Sequence, residues 1–452
     1  MEVTIMQQGK TMPLFVVMIA ASAATAGLLF GYDVAVINGA LVFLRTDFHL
    51  GSFQTEMVAT VLFWGCAVGA ALGGWASDRF GRRPALFCAS VLFCVAAFSA
   101  ATATHLWQLL AARVLAGVAV GSASLVAPLY IAEVAPASTR GRLVTLNQLA
   151  TVSGILIGFV CNYELARIVH GNWRLMFGVG ALPAIALCVS LMWIPESPRW
   201  LLQNRLRDRA RLVLQRISPG IEVERELDKI GNAIQEETGT YRELLGCKLR
   251  KPMVLAIMLA VIQQITGINM VLYYGSIIFA EHTGASTSQA IGMNVFVGMV
   301  NLVFTILGLM LIDRLGRRPL LLMATGGMGL FLIAFSAMLR YLPGHSQLLL
   351  VPVLGYVACF AFGLGTGVWV CLAEIFPNHV RARAMSIATI ALWISVSCMS
   401  ATFLTFMRIF TASSVFLGYA LLCAASFLYI FLSVPETKNR TLEEIEMIWS
   451  KS

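Results

Sequence analysis

Two ionisable residues, Asp33 and Arg113, sit inside stretches that are otherwise apolar. A charge inside hydrocarbon is expensive, so each is a functional residue by default, with a partner to be found. Burial disfavours the carboxylate and a neighbouring guanidinium favours it, so a pair that separates during a conformational change would take up and release a proton. The alternative is a static buried ion pair that only ties two helices together. None of the six histidines competes for the proton, because His49, His105, His170, His282 and His345 fall in expected outer loops and His379 in an inner one. The ten cysteines show no CxxC or other metal-ligand spacing, and all but Cys247 lie in apolar stretches where a thiol packs as a small hydrophobe. No metal, no cofactor and no catalytic group is expected.

Such residues need helices that cross a bilayer to hold them. Of 452 residues, 58% are hydrophobic and only 12% charged, and the mean hydropathy is +0.80. A soluble domain usually carries about 25% charge, so an ordinary soluble globular protein is excluded. The 38 glycines fit membrane helices, and few alternating segments suggest a lipid-embedded barrel. With about 20 residues needed per crossing, low-charge stretches predict spans at 14–44, 55–77, 84–103, 107–133, 143–163 and 173–194. Six more follow at 252–280, 287–312, 319–340, 347–374, 384–410 and 413–434. The expected fold is an all-α polytopic membrane protein with twelve transmembrane helices in two six-helix halves, 1–194 and 252–434. A linker at 195–251 joins them, with helical patterns at Arg205–Ile217 and Val223–Thr238, and a tail covers 435–452. The apolar start from Pro13 runs on to Leu44 and is read as a retained first helix, not a signal peptide.

The net charge of +9 does not point to nucleic acid, since the basic residues form short clusters between apolar stretches. Of 32 Lys and Arg residues, 26 lie in the amino-terminal segment, in the loops after helices 2, 4, 6, 8 and 10, or in the tail. The excess of positive charge marks that side as cytoplasmic, with both termini there. Helix 1 then runs outward and helix 4 inward, which puts Asp33 in the outer part and Arg113 about 9 Å from the outer end at 1.5 Å per residue. The tail carries a capping pattern from Thr441 and a glycosylation sequon at Asn439–Thr441 that should face the cytoplasm.

The second half repeats the first. Asp-Arg-Phe-Gly-Arg-Arg-Pro at 78–84 returns as Asp-Arg-Leu-Gly-Arg-Arg-Pro at 313–319. Ala-Glu-Val-Ala-Pro at 132–136, with Arg140 and Arg142 beyond, returns as Ala-Glu-Ile-Phe-Pro at 373–377 with Arg381 and Arg383. PESPR at 195–199 has an echo in PETKN at 435–439, and Gly31, Asp33, Gly39 and Phe43 align with Gly267, Asn269, Gly275 and Phe279. Parallel six-helix repeats place a substrate site between the halves near the bilayer midplane, and rocking of the halves gives alternating access.

GGWASDRFGRRP and LGLMLIDRLGRRP resemble the loop signature of the major facilitator superfamily. Together with PESPR, QQITGIN at 263–269 and PETK at 435–438, the chain resembles the sugar porter family over essentially its whole length. The resemblance implies a secondary transporter, not an enzyme, that takes up a hexose or pentose with a proton at the plasma membrane, or the inner membrane of a bacterium. Its partners are a sugar, a proton and the lipid bilayer, and a monomer suffices. It assigns proton coupling to Asp33 with Arg113, since proton-coupled members carry Asp here and many uniporters Asn. It maps sugar-contacting amides onto Gln148, Gln263, Gln264, Asn269 and Asn301, and ring-covering aromatics onto Trp369 and Trp393. Amides suit polyols because both offer donors and acceptors. Tyr273 and Tyr274 read as an outer gate after the helix break at Gly267. A cytoplasmic latch is implied by two clusters, Asp78, Arg82, Arg83, Glu133, Arg140 and Glu196 in one half and Asp313, Arg317, Arg318, Glu374, Arg381 and Glu436 in the other.

The chain departs from the family pattern where a usual Pro is Thr366, an amide is Leu392, an Asn is Val396 and a second helix 5 amide is Ile155. Substrate identity therefore stays open. A facilitator for a hexose or inositol is the rival mechanism, and a non-transporting sugar-sensing receptor the rival class.

Overall fold

A computed structural model describes residues 14–136, 139–168, 173–217, 222–236, 241–244, 246–341, 348–376 and 378–438. Among them the regular structure is entirely helical. The first half comprises α1 (Leu14–Asp47), α2 (Ser52–Phe80), α3 (Arg82–Ala101), α4 (Leu106–Val134), α5 (Arg140–Ile168), α6 (Trp173–Val179) and α7 (Ala181–Leu191). Short helices α8 (Pro198–Gln203), α9 (Arg207–Ile217), α10 (Val223–Glu236) and α11 (Tyr241–Leu244) follow. The second half comprises α12 (Cys247–Ile265), α13 (Ile268–Thr283), α14 (Thr287–Leu315), α15 (Arg317–Tyr341), α16 (Leu350–Cys359), α17 (Gly365–Ile375), α18 (Asn378–Ile409) and α19 (Ala412–Ser433). Twelve crossings are long and apolar enough to span a membrane among the described residues.

Three crossings are broken. The α6/α7 junction at Gly180 divides the sixth span, which the sequence presented as one stretch. Gly267, at φ 90°, separates α12 from α13 as expected. A π-helical turn at Phe360–Leu364 joins α16 to α17, a feature that often marks functional sites.

The repeated Asp-Arg-x-Gly motif has a local cause. Gly81 and Gly316 adopt φ 108° and 92°, where a side chain is strained, and they turn α2 into α3 and α14 into α15. A Cβ at Gly81 would collide with Glu196 Oε2, and one at Gly316 would lie 2.7 Å from Glu436 Oε2. These carboxylates cap the next helix. Glu196 Oε1 accepts from Arg82 N at 3.0 Å and its Oε2 from Arg83 N at 3.2 Å, while Glu436 accepts from Arg317 N and Arg318 N at 3.0 and 3.1 Å. PESPR and PETK thus supply the acceptors that the first free amides of α3 and α15 require.

Within the halves, α1 packs on α4 and α5, α2 on α4, α15 on α19 and α12 on α18. Between the halves the main contacts are α5 with α14, α2 with α18 and α1 with α13. The linker forms its own small core of Leu201, Ala210, Leu214 and Leu227. Arg207 pairs across it with Glu224 at 3.0 Å and Asp228 at 2.7 Å. Both expected linker helices are present, α9 starting at Arg207 and α10 described as far as Glu236. Residues 237–240 and the tail from Asn439, with its expected cap and sequon, lie outside the described residues.

Candidate functional site

Asp33 on α1 and Arg113 on α4 meet in the first half, 3% and 1% exposed. Arg113 Nη1 donates to both carboxylate oxygens, at 2.7 and 2.9 Å. Its guanidinium carbon stands 5.7 Å from the centre of the Phe177 ring, and its Nε and Nη2 have no hydrogen-bond partner among the described residues. A small space beside the pair is lined by Tyr32, Phe93, Ala97, Phe177 and Gly180. The Tyr32 hydroxyl does not enter the pair, since it donates to Met176 O at 2.7 Å. Burial makes this pair costly to break, because removing one partner strands the other charge.

The amides of QQITGIN gather at the α12/α13 break. Gln263 Nε2 donates to Leu364 O in the π turn at 3.0 Å, Gln264 Nε2 to Gln263 Oε1 at 3.4 Å, and Asn269 Nδ2 to Gln264 Oε1. Asn301 is buried on α14, while Gln148 on α5 and Trp369 on α17 are half-buried. Helix α14 packs on both α5 and α17, which draws these three elements together. Trp393 on α18 is 5% exposed. Its ring stacks on Phe63 at 6.1 Å, meets Phe30 edge-on at 5.7 Å, and its Nε1 has no partner among the described residues. The aromatic assigned to a sugar ring is thus enclosed by the other half's aromatics. The departures Leu392 and Val396 are buried beside it in sequence, and Thr366 Oγ1 donates to Phe362 O at 3.1 Å.

Tyr273 and Tyr274 are both buried. Tyr273 stacks obliquely on Phe63 of α2 at 5.2 Å. Tyr274 donates to Ser400 O at 2.9 Å and lies on Phe403 at 5.2 Å. Around them, polar bonds cross from half to half. Asn38 Nδ2 donates to Leu272 O at 2.8 Å and to Asn294 Oδ1 at 3.2 Å, and Asn38 Oδ1 accepts from Ser276 N at 3.1 Å. Glu56 on α2, 1% exposed, accepts from Thr405 N at 2.6 Å and Thr405 Oγ1 at 2.8 Å. At the rim Arg45 pairs with Glu281 at 2.9 Å. This end of the bundle is closed.

Sequence alone singled out only Asp33 and Arg113 as intramembrane charges and missed Glu56, Asn38 and Asn294. Glu56 was visible as a carboxylate inside an apolar span, but it lies a single turn from the span's start.

At the opposite end, which carries the basic loops, the charged clusters close within each half. Arg82 forks onto Glu133 at 3.0 and 2.9 Å and pairs with Asp78 at 3.2 Å. Arg83 donates to Leu191 O and Met192 O at 2.7 and 3.0 Å. In the second half Arg317 forks onto Glu374 at 3.1 and 2.8 Å and pairs with Asp313 at 3.0 Å. Arg318 donates to Phe431 O at 2.5 Å, and Arg381 to Phe376 O at 3.1 Å. Arg140 begins α5, and its side chain lies outside the described residues. Burial pushes the Glu196 carboxyl above the usual glutamate range, against the opposing pull of three backbone N–H donors.

Comparison with known proteins places this architecture. A D-xylose transporter of Levilactobacillus brevis is 35% identical, the match covering 94% of this chain and 93% of the relative. An arabinose-proton symporter of Bacillus subtilis (strain 168) is 35% identical, covering 97% and 96%. A partially occluded inward-open structure of the xylose transporter XylE from E. coli superposes with TM-score 0.84 at 32% identity, covering 95% of this chain and 100% of that one. The family model described as sugar (and other) transporter matches residues 19–449, so the chain, a multi-pass membrane protein and no enzyme, belongs to the sugar transporter family of the major facilitator fold.

Proposed function

We propose that the protein is a secondary active transporter that takes up a monosaccharide, a hexose or pentose, together with a proton by alternating access. The observation that carries the proton half of this reading is the Asp33–Arg113 pair, fully buried in a carrier bundle. Similar proteins named as xylose and arabinose-proton transporters support the substrate class. Asp33 accepts the proton and Arg113 sets its affinity. Gln148, Gln263, Gln264, Asn269 and Asn301 exchange hydrogen bonds with sugar hydroxyls, and Trp369 and Trp393 face the apolar side of the ring. Tyr273 and Tyr274 belong to the outer gate, and the charged clusters with Arg140 latch the basic end when it shuts. The two halves, 1–194 and 252–434, move about the linker at 195–251. The basic end and both termini face the cytoplasm, in the plasma membrane or a bacterial inner membrane, and a monomer is the working unit.

Both partners of the proton site belong to one half. A rigid rocking of the halves therefore leaves the pair together, and the proton switch comes from water reaching it or from α1 moving within its half. The deciding experiment is transport by purified protein in liposomes. Uphill sugar accumulation that follows an imposed pH gradient supports symport, and equal transport with and without the gradient replaces it with facilitation.

A further inference from the structure

We propose that Glu56 is a positioning residue of the transport cycle, whose carboxylate clasps α2 to α18 and so sets how often the end away from the basic loops stands open. The inference rests on alternating access but not on the identity of the sugar or on proton coupling. A carboxylate stays buried only when its oxygens are satisfied. At Glu56 both oxygens are satisfied by one residue of the other half, the main-chain N–H and the hydroxyl of Thr405.

The helices run antiparallel here, with Glu56 one turn into α2 and Thr405 one turn from the end of α18. The clasp therefore sits at the mouth of their seam. Deeper in the seam, Phe63 of α2 stacks on Trp393 of α18, and Tyr274 is anchored on Ser400 of α18. Opening this end pulls Thr405 away and hands Glu56 to water. The two charge-assisted bonds exist in one global state only, and a contact of that kind biases the equilibrium by its own free energy. None of the proposed proton or sugar residues makes these bonds, so the clasp acts through the position of α2 and not by touching substrate.

The test uses Thr60→Cys, one turn deeper than Glu56 on α2 and 3% exposed in the closed state. The full-length protein in detergent, without sugar or pH gradient, is treated with a water-soluble maleimide. Modification of residue 60 is followed by peptide mass spectrometry in chains carrying Glu56, Glu56→Ala or Glu56→Gln. The alanine variant is expected to label about ten-fold faster, the shift produced by losing a net interaction of that order. Glutamine is expected to restore most of the protection, since its amide offers an acceptor to Thr405 N–H and a donor to Thr405 Oγ. Should the alanine variant fail to fold, Thr405→Val in the Thr60→Cys chain removes one of the two bonds and is expected to raise labelling several-fold. Unchanged labelling in Glu56→Ala, or in Thr405→Val where that variant stands in, overturns the proposal. A facilitator in place of a symporter would leave these rates as expected, so the two readings fail separately.

Discussion

Replacing Asp33 by Asn tests the proposed proton site at the point where structure and chemistry meet. In the wild type Arg113 Nη1 donates to both Asp33 oxygens from a position 1% exposed. Asn keeps one acceptor and nearly the same volume but removes the negative charge. A buried arginine cannot shed its proton, so the variant holds a stranded cation, and breaking a buried pair in this way costs about 3–5 kcal/mol. The retained hydrogen bond puts the loss toward the lower figure. Arg113→Gln added to Asp33→Asn removes the stranded charge and should recover part of the lost stability, the non-additivity that marks direct coupling. Transport separates this structural effect from coupling. A pH gradient of about one unit drives roughly ten-fold accumulation at one proton per sugar. The Asn variant should bring the accumulation ratio to about one while sugar counterflow, which needs no net proton movement, continues at a rate within several-fold of wild type. Accumulation retained by folded Asp33→Asn protein would refute the assignment, and loss of counterflow as well as accumulation would make Asp33 an organiser of the sugar pocket.

Gln263→Ala frees Leu364 O and removes one proposed sugar contact, so binding measured by calorimetry should weaken about two- to ten-fold, the equivalent of ~0.5–1.5 kcal/mol for a neutral hydrogen bond; unchanged affinity would remove Gln263 from the site. Glu133→Gln replaces a forked charged contact with Arg82 by a neutral one, and should raise cysteine accessibility from the basic end if the cluster latches that end; wild-type accessibility at both ends would make it a helix anchor only. Glu196 has its acid held above the usual range, so its contribution to stability is complete below the ordinary glutamate titration and is lost as pH rises through the raised value. Glu196→Gln does not titrate, and the wild-type advantage in Tm over this variant should therefore shrink as pH rises above the ordinary glutamate range; a pH-independent gap would contradict the burial argument.

What the sequence made legible was set by how few explanations each residue allowed. Asp33 and Arg113 stood out because a charge far inside an apolar run has little reason to be there except a partner. The paired Asp-Arg-x-Gly-Arg-Arg loops stood out by repetition, though their local role, glycine turns covered by a capping glutamate, rests on a contact with a motif far away in the chain. Glu56 was hidden because one turn inside a helix is also where a charge can face water, and the residue that buries it stands 349 positions away. Asn38 was hidden for the same reason, its partners lying on α13 and α14. Hydropathy could not show the break at Gly180 or the π turn at Phe360–Leu364, since both change the backbone path without changing polarity.

The polar bonds also divide by end, and the division bears on mechanism. At the closed end Asn38, Glu56 and Arg45 each bond to the opposite half, while at the basic end Arg82 and Arg317 bond within their own. A carrier arranged this way holds one end shut by interactions that must all break together on rocking, and satisfies the other end's charges within each half. Those inner pairs cost nothing to retain in this state, so their influence on the cycle has to come from bonds that form only when the basic end closes. The two ends are thus built on different terms: loss of a single bond at the closed end should release it by degrees, whereas loss of a carboxylate in a basic-end cluster should disturb the helix ends in both states and bias the equilibrium only through what the closed latch adds.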